Sequence, residues 1–84
     1  MNTALYLKYL ERYVTEAVQN SNRTNSGIAE YLGEIKIKGL LTRHKVEKSR
    51  AVSDAQKAFY DHRHWPVDLV ISHLGLDPDI LNQA

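Results

Sequence analysis

The chain has 84 residues and a net charge of +1, because eleven Lys and Arg stand against ten Asp and Glu. That length indicates one small domain, residues 1–84. A composition of 43% hydrophobic and 25% charged residues is typical of globular proteins, whereas nucleic-acid-binding domains are more often clearly basic. The chain has no cysteine, which excludes a disulfide framework, a thiolate metal site and a thiol nucleophile.

The N-terminal segment lacks the pattern of a signal peptide, since Lys8, Glu11 and Arg12 interrupt its apolar residues. No apolar run reaches the roughly 18 to 20 residues that are needed to span a bilayer. We therefore expect a cytoplasmic protein that does not enter a membrane.

The first predicted element is a helix over residues 3–20. Its apolar residues recur at helical spacing and cover one continuous face. They are Tyr6, Leu7, Leu10, Tyr13, Val14, Ala17 and Val18. A polar loop over residues 20–27 follows, and Asn25 or Ser26 is expected to cap a second helix that begins at Gly27.

Between Gly33 and Gly39 the sequence GEIKIKG alternates like a strand, but no second alternating segment exists to pair with it. We therefore predict a hinge or helix break near residues 33–39. A long central helix over about residues 40–64 then places apolar and small residues on one face. That face holds Leu40, Leu41, His44, Ala51, Ala55, Ala58, Phe59 and His62. The helix must end before Pro66.

Pro66 suits the first turn of the next helix. Its apolar side consists of Val67, Val70, Ile71 and Leu74. Gly75 is expected to end this helix in a left-handed conformation, with Leu76 making the apolar contact that accompanies such a cap. Asp77 is expected to cap a last turn that contains Pro78. The sequence thus predicts an all-α fold, a small bundle of four to five helices.

The basic residues of the central segment allow several functional interpretations. Those spaced seven residues apart are Lys36, Arg43, Arg50 and Lys57. On one continuous helix they form a line that advances about 10.5 Å per step and could follow a phosphate backbone. Glu47 and Asp54 stand four residues after Arg43 and Arg50, however, as on a solvated helix surface with ion pairs. An acidic surface of a protein partner is the third interpretation.

The stretch SGIAEYLG resembles the opening of a helix-turn-helix motif, with Ala29, Leu32 and the turn glycine Gly33. The second half does not follow, because polar residues and a glycine stand where that motif has apolar residues. The sequence therefore assigns no family on this basis.

The four histidines do not form a pattern that indicates chemistry. His62 and His64 are two residues apart, so a helix would direct them about 200° away from each other. Adding His44 or His73 gives no spacing known from zinc sites. No serine–histidine arrangement and no phosphate-binding glycine loop supports catalysis. We expect no enzyme, no cofactor and no metal site.

Some apolar residues are not accounted for by the core of a small bundle. Leu5 falls on the polar side of the first helix, Tyr9 lies at the flank of its stripe, and Val46 faces away from the stripe of its own helix. Lys48 projects from the middle of that stripe, where its charge can meet a partner. Leu5, Tyr9, Val46 and Lys48 are therefore the candidate protein interface, in a homodimer or with another protein.

The sequence favours a small non-enzymatic helical binding module that acts through protein–protein interaction. Short, cysteine-free modules of this kind are often regulators, inhibitors or adaptors, including those carried by phages and plasmids. The alternative is a nucleic-acid-binding regulator, acting as a dimer, that uses the basic face of residues 36–57.

Overall fold

The structure is a computed structural model that describes residues 3–39 and 46–83. Its elements are α1 (Thr3–Asn20), α2 (Asn25–Ile37), α3 (Val46–Asp61), α4 (Val67–His73) and a closing 3-10 turn (Pro78–Asn82). The predicted all-α bundle is confirmed, because the described residues form four α-helices and the 3-10 turn and contain no strand. None of the helices in this part of the chain is both long and apolar enough to cross a membrane.

Helix α1 has the bounds that the sequence predicts, and its apolar stripe is buried from Leu10 onward. Leu7 belongs to this stripe by its spacing, but 40% of this residue is exposed. The reason is that α3 lies along the other edge of the stripe, where Tyr6 bonds to Asp54. The same placement of α3 leaves Leu5 half-buried, although its wheel position is on the polar side.

Helix α2 begins earlier than the sequence predicts. Its N-cap is Thr24, whose hydroxyl Oγ1 accepts a hydrogen bond from the backbone N–H of Gly27 at 3.0 Å. Asn25 and Ser26 therefore lie inside the helix, and neither is the cap. Three residues that favour the cap position follow one another here, and local propensity does not distinguish between them.

The predicted break near residues 33–39 lies only at the end of that range. Helix α2 passes through Gly33 and ends at Ile37, and Gly39 follows with a φ of 70°. Gly33 is buried against α3, where an added Cβ would stand 2.5 Å from Nε2 of Gln56. Gly33 therefore lies where α2 and α3 pack together, and α2 continues through it despite a propensity cost of about 1 kcal/mol.

Helix α3 packs against both α1 and α2 and supplies the centre of the core. Among the described residues, the helix predicted over about residues 40–64 runs from Val46 to Asp61, and residues 40–45 lie outside them. The helix ends earlier than predicted, so His62 lies in the turn that follows it. Its buried residues are Ala51, Val52, Ala55 and Phe59. Beyond Asp61 the chain turns and reaches Pro66, as the proline requires.

The predicted cap at Gly75 is confirmed. Gly75 has a φ of 83°, its N–H donates to the carbonyl of Ser72 at 2.9 Å, and the N–H of Leu76 donates to the carbonyl of Ile71 at 3.1 Å. These are the two hydrogen bonds of a Schellman motif. Leu76 and Ile71 occupy the two positions between which such a motif frequently has an apolar contact. The side chain of Asp77 caps the last turn, as predicted, and that turn is a 3-10 helix.

Candidate functional site

Three aromatic rings come together at the end of α3. The ring of His62 stacks on the indole of Trp65 with centroids 3.9 Å apart and planes 19° from parallel. His73, from the last turn of α4, presents its edge to both rings, with centroids 5.1 Å from His62 and 5.5 Å from Trp65. We call these three residues the Trp65 cluster. Edge-to-face and offset stacked pairs of this kind hold rings in fixed orientations.

The backbone of the Trp65 cluster is held by a side chain from another helix. Asn25 is 4% exposed, and its Nδ2 donates to the backbone carbonyl of Trp65 at 2.6 Å. The same nitrogen lies 3.2 Å from the carbonyl of His62 and 3.4 Å from that of Arg63. Asn25 thus supplies a donor to the carbonyl of Trp65 in the turn that follows α3, whereas the carbonyl of His62 also accepts the backbone N–H of Trp65 at 2.9 Å. Its Oδ1 has no partner among the described residues.

Trp65 remains partly accessible although its ring and backbone are fixed. Its exposed fraction is 37%, and the large apolar residues nearby in sequence, Tyr60 and Leu69, are 59% and 48% exposed. The guanidinium of Arg63 lies 4.8 Å from the centre of the Tyr60 ring. The end of α3 and the start of α4 therefore present aromatic and aliphatic surface to solvent.

An open cleft of ≈ 390 Å³ adjoins the Trp65 cluster. Its lining residues are Tyr6, Asp54, Lys57, Ala58, Asp61, His62, His73 and Leu74. On one wall the hydroxyl of Tyr6 donates to Oδ2 of Asp54 at 2.7 Å. Burial, this hydrogen bond and the charge of Asp54 raise the pKa of Tyr6 to about 12, against the lowering effect of Arg50.

A second cleft of ≈ 380 Å³ runs between α2 and α3. It is lined by Lys36, Ser53, Gln56, Lys57, Tyr60 and Asp61. Lys57 and Asp61 line both clefts, so these two residues form a ridge between them. The ridge is exposed, and it carries one charge of each sign.

The four basic residues spaced by seven do not lie on one helix. Lys36 is near the end of α2, whereas Arg50 and Lys57 are on α3, and Arg43 lies outside the described residues. Arg50 forms an ion pair with Asp54, with Nε 3.6 Å from Oδ2, and its guanidinium lies 5.4 Å from the centre of the Tyr6 ring. Among the described residues, these cations therefore do not form one continuous line. Arg50 and Lys57 lie on α3 beside carboxylates, and Lys36 lies on the neighbouring helix α2.

The residues of the candidate protein interface are partly brought together. Nζ of Lys48 lies 4.8 Å from the centre of the Tyr9 ring, which joins α3 to α1 by a cation–π contact. Leu5 and Tyr9 are half-buried, and Val46 is 75% exposed. Tyr9 packs against the core, so less of it is available to a partner than its wheel position suggests.

The histidines separate into a pair and an isolated residue. His62 and His73 meet in the Trp65 cluster, whereas His64 is exposed and His44 lies outside the described residues. Over residues 3–39 and 46–83 no three histidine, aspartate or glutamate side chains are grouped so that they could hold a metal ion.

Sequence reasoning did not identify Trp65 as part of a site. The stretch DHRHWP draws attention to His62 and His64, but the ring that completes the cluster comes from His73, eleven positions after His62. One signal in the sequence points to Trp65. It is the only tryptophan, and Pro66 follows it directly, which places Trp65 just before the start of α4.

Comparisons of the chain with protein-family models, with curated proteins and with solved structures give no match. The chemistry of its own surface is therefore the basis for a functional proposal.

Proposed function

We propose that this chain is a small non-enzymatic helical binding module, a cytoplasmic regulator, inhibitor or adaptor that acts by binding another protein. One observation carries the proposal. Trp65 is 37% exposed, yet its ring is stacked on His62 and its carbonyl is held by Asn25. The exposed part of Trp65 is the anchor that the partner protein covers.

A fixed aromatic side chain is well suited to this task. Tryptophan is enriched among the few residues that supply most of the binding energy in protein interfaces, because it buries a large area. A side chain that is already immobilised loses little further conformational entropy when a partner covers it. Exposed Tyr60 and Leu69 supply additional apolar area beside charged groups such as Arg63 and Asp68.

The distribution of charge favours a protein over a nucleic acid. Binding to a phosphate backbone depends on an excess of cations along one surface. Arg50 is paired with Asp54, and Lys36 and Lys57 share their cleft with Asp61. The aromatic surface around Trp65 likewise has both Arg63 and Asp61 near it in sequence. Mixed charge of this kind is typical of the rim of a protein interface.

The test is affinity capture from cell lysate with the tagged wild-type chain and two variants. Trp65→Ala removes the anchor, and Leu7→Ala removes an apolar residue of matched exposure (40%) on α1. Each capture is divided into a nuclease-treated and an untreated half. We expect one discrete protein to be captured, and its capture to persist after nuclease treatment. Leu7→Ala should capture the same amount as the wild type, and Trp65→Ala should capture at least about tenfold less.

Circular dichroism of Trp65→Ala establishes that the helices remain. If that variant loses helix content, Leu69→Ala replaces it, since Leu69 is exposed and its truncation leaves the ring stack intact. Equal capture by all variants would contradict the Trp65 anchor. Capture that disappears on nuclease treatment would contradict the protein partner and support the nucleic-acid alternative.

A further inference from the structure

The outward face of α3 carries four charged residues in alternating sign. They are Arg50, Asp54, Lys57 and Asp61, and we call them the charged face. Their spacing of four, three and four residues places them within an arc of about 60° on the helix. The buried residues Ala51, Val52, Ala55 and Phe59 point away from this arc. The charged face spans about 16 Å along the helix axis.

The charged face is complementary to itself when it is reversed. Read from Asp61 back to Arg50, the spacing is again four, three and four, and every sign is inverted. An antiparallel copy of α3 therefore places Arg50 opposite Asp61 and Asp54 opposite Lys57. A parallel copy in register would place like charges opposite one another, which is repulsive.

We propose that two copies of this chain associate through the charged face, with their α3 helices antiparallel about a twofold axis. The axis passes between Ala55 and Gln56, midway along the charged face. Each copy then contributes the same surface to the contact, as the symmetry of a homodimer requires. The partner is a second copy because the pattern fits its own reverse.

The shape of the surface along α3 agrees with an antiparallel pair. Lys57 and Asp61 form the ridge between the two clefts, each of which lies alongside α3. In an antiparallel pair the ridge of one copy can enter a cleft of the other, as in the packing of ridges into grooves.

The existing ion pair within α3 is compatible with the dimer. Nε of Arg50 lies 3.6 Å from Oδ2 of Asp54, which also accepts the hydroxyl of Tyr6. Of each charged side chain 44% stays exposed, so charges of a second copy can approach both. In the dimer, Asp61 of the second copy pairs with Arg50, and Lys57 of the second copy pairs with Asp54. Exposed pairs contribute little singly, whereas a network of four charges in each copy contributes specificity and direction.

This contact is separate from the Trp65 anchor. Dimerisation uses the outward face of α3, whereas the proposed partner covers the indole at the end of α3. A monomeric protein that still binds its partner through Trp65 would overturn only the dimer.

The test is sedimentation equilibrium of the wild type and of charge-reversal variants over about 1 to 500 µM. Asp61→Arg makes both members of one pair positive, and Arg50→Glu makes both negative. We expect each variant alone to associate at least about tenfold more weakly than the wild type. An equimolar mixture of the two should recover association, because each Arg again faces a carboxylate.

Glu11→Arg and Lys8→Glu are the matched controls, since they make the same changes of charge at exposed positions of α1. We expect them to associate like the wild type, and we expect added salt to weaken the wild-type dimer. If Arg50→Glu loses helix content, Lys57→Glu replaces it and places a carboxylate opposite Asp54, in which case weaker association supports the proposal.

Three results would overturn the proposal. They are a wild type that is monomeric at every concentration, a dimer that the charge reversals leave unchanged, and an equimolar mixture of folded Asp61→Arg and Arg50→Glu that does not recover association.

Discussion

The side-chain amide of Asn25 donates a hydrogen bond to the backbone carbonyl of Trp65, with Nδ2 2.6 Å from the oxygen. Asn25 stands in the first turn of α2, and Trp65 lies beyond the end of α3. One side chain thus connects the start of one helix to the end of the next and fixes the residue that we propose as the binding anchor.

We expect Asn25→Ala to lower the free energy of unfolding by about 2 to 3 kcal/mol, because it leaves the backbone carbonyl of Trp65 without its side-chain donor and removes the weaker contacts to the carbonyls of His62 and Arg63. Asn25→Asp should cost more, since a carboxylate would face those carbonyl oxygens. Urea denaturation followed by circular dichroism measures both changes. Asn20→Ala is the control, because the amide of Asn20 also donates to a carbonyl but is exposed. Equal effects of Asn25→Ala and Asn20→Ala would contradict the role of Asn25.

The hydrogen bond from Tyr6 to Asp54 should be visible in a phenol titration. The pKa of Tyr6 is raised to about 12, so its ionisation should come late in the titration. Burial also raises the pKa of Tyr13 and of Tyr31, so we expect Tyr6→Phe to reduce the late part of the absorbance titration at alkaline pH and not to abolish it. Tyr9→Phe is the control, since no hydrogen bond of its hydroxyl is observed among the described residues. A late part that is as large in Tyr6→Phe as in the wild type would contradict the prediction.

The same pKa shift predicts how stability depends on pH. The pKa of Tyr6 is higher in the folded state, about 12, than the ordinary value of 10.0 that applies to the unfolded chain. Its contribution to stability is therefore complete below pH 10 and is lost as pH rises through 12. We expect the difference in unfolding free energy between wild type and Tyr6→Phe to be constant up to about pH 10 and to shrink above it. Urea unfolding at several pH values tests this, and a difference that grows at high pH would contradict it.

A substitution at Gly75 tests the cap at the end of α4. Its φ of 83° is a conformation that alanine adopts only at a cost, although an added Cβ would meet no atom within 4 Å. We expect Gly75→Ala to lower the free energy of unfolding by about 1 kcal/mol through backbone conformation alone. Ser72→Ala, at an exposed helical position of α4, should have little effect. Chemical denaturation of the two variants distinguishes these outcomes, and a neutral Gly75→Ala would contradict the argument.

Trp65 is the only tryptophan of the chain, so its fluorescence reports on the Trp65 cluster directly. We expect His62→Ala to shift the emission to longer wavelength and to increase quenching by acrylamide, because the stacked ring no longer shields the indole. His64→Ala is the matched control, since His64 is exposed and has no ring contact among the described residues. Identical spectra for the two variants would show that the stack does not protect Trp65.

Local signals predicted much of the architecture. The bounds of α1 follow from an uninterrupted helical period, and the caps at Gly75 and Asp77 follow from residue types with strong positional preferences. These features depend on residues a few positions apart. For that reason a single sequence was sufficient to predict them.

The errors concern residues whose role is decided by distant neighbours. The sequence predicts a hinge that includes Gly33, whereas α2 passes through this residue and packs it beside Gln56 of α3. The sequence predicts that Asn25 or Ser26 caps α2, whereas the amide of Asn25 donates to the carbonyl of Trp65. The period of seven among the basic residues spans two helices, and the period alone does not show this.

The central position of α3 has a consequence for the order in which the chain is made. Helices α1 and α2 contact each other less extensively than each contacts α3. A ribosome, which delivers the chain from its N-terminus, releases both helices before the surface that covers them exists. The apolar faces of the first two helices therefore gain most of their cover only once residues 46–61 have left the ribosome.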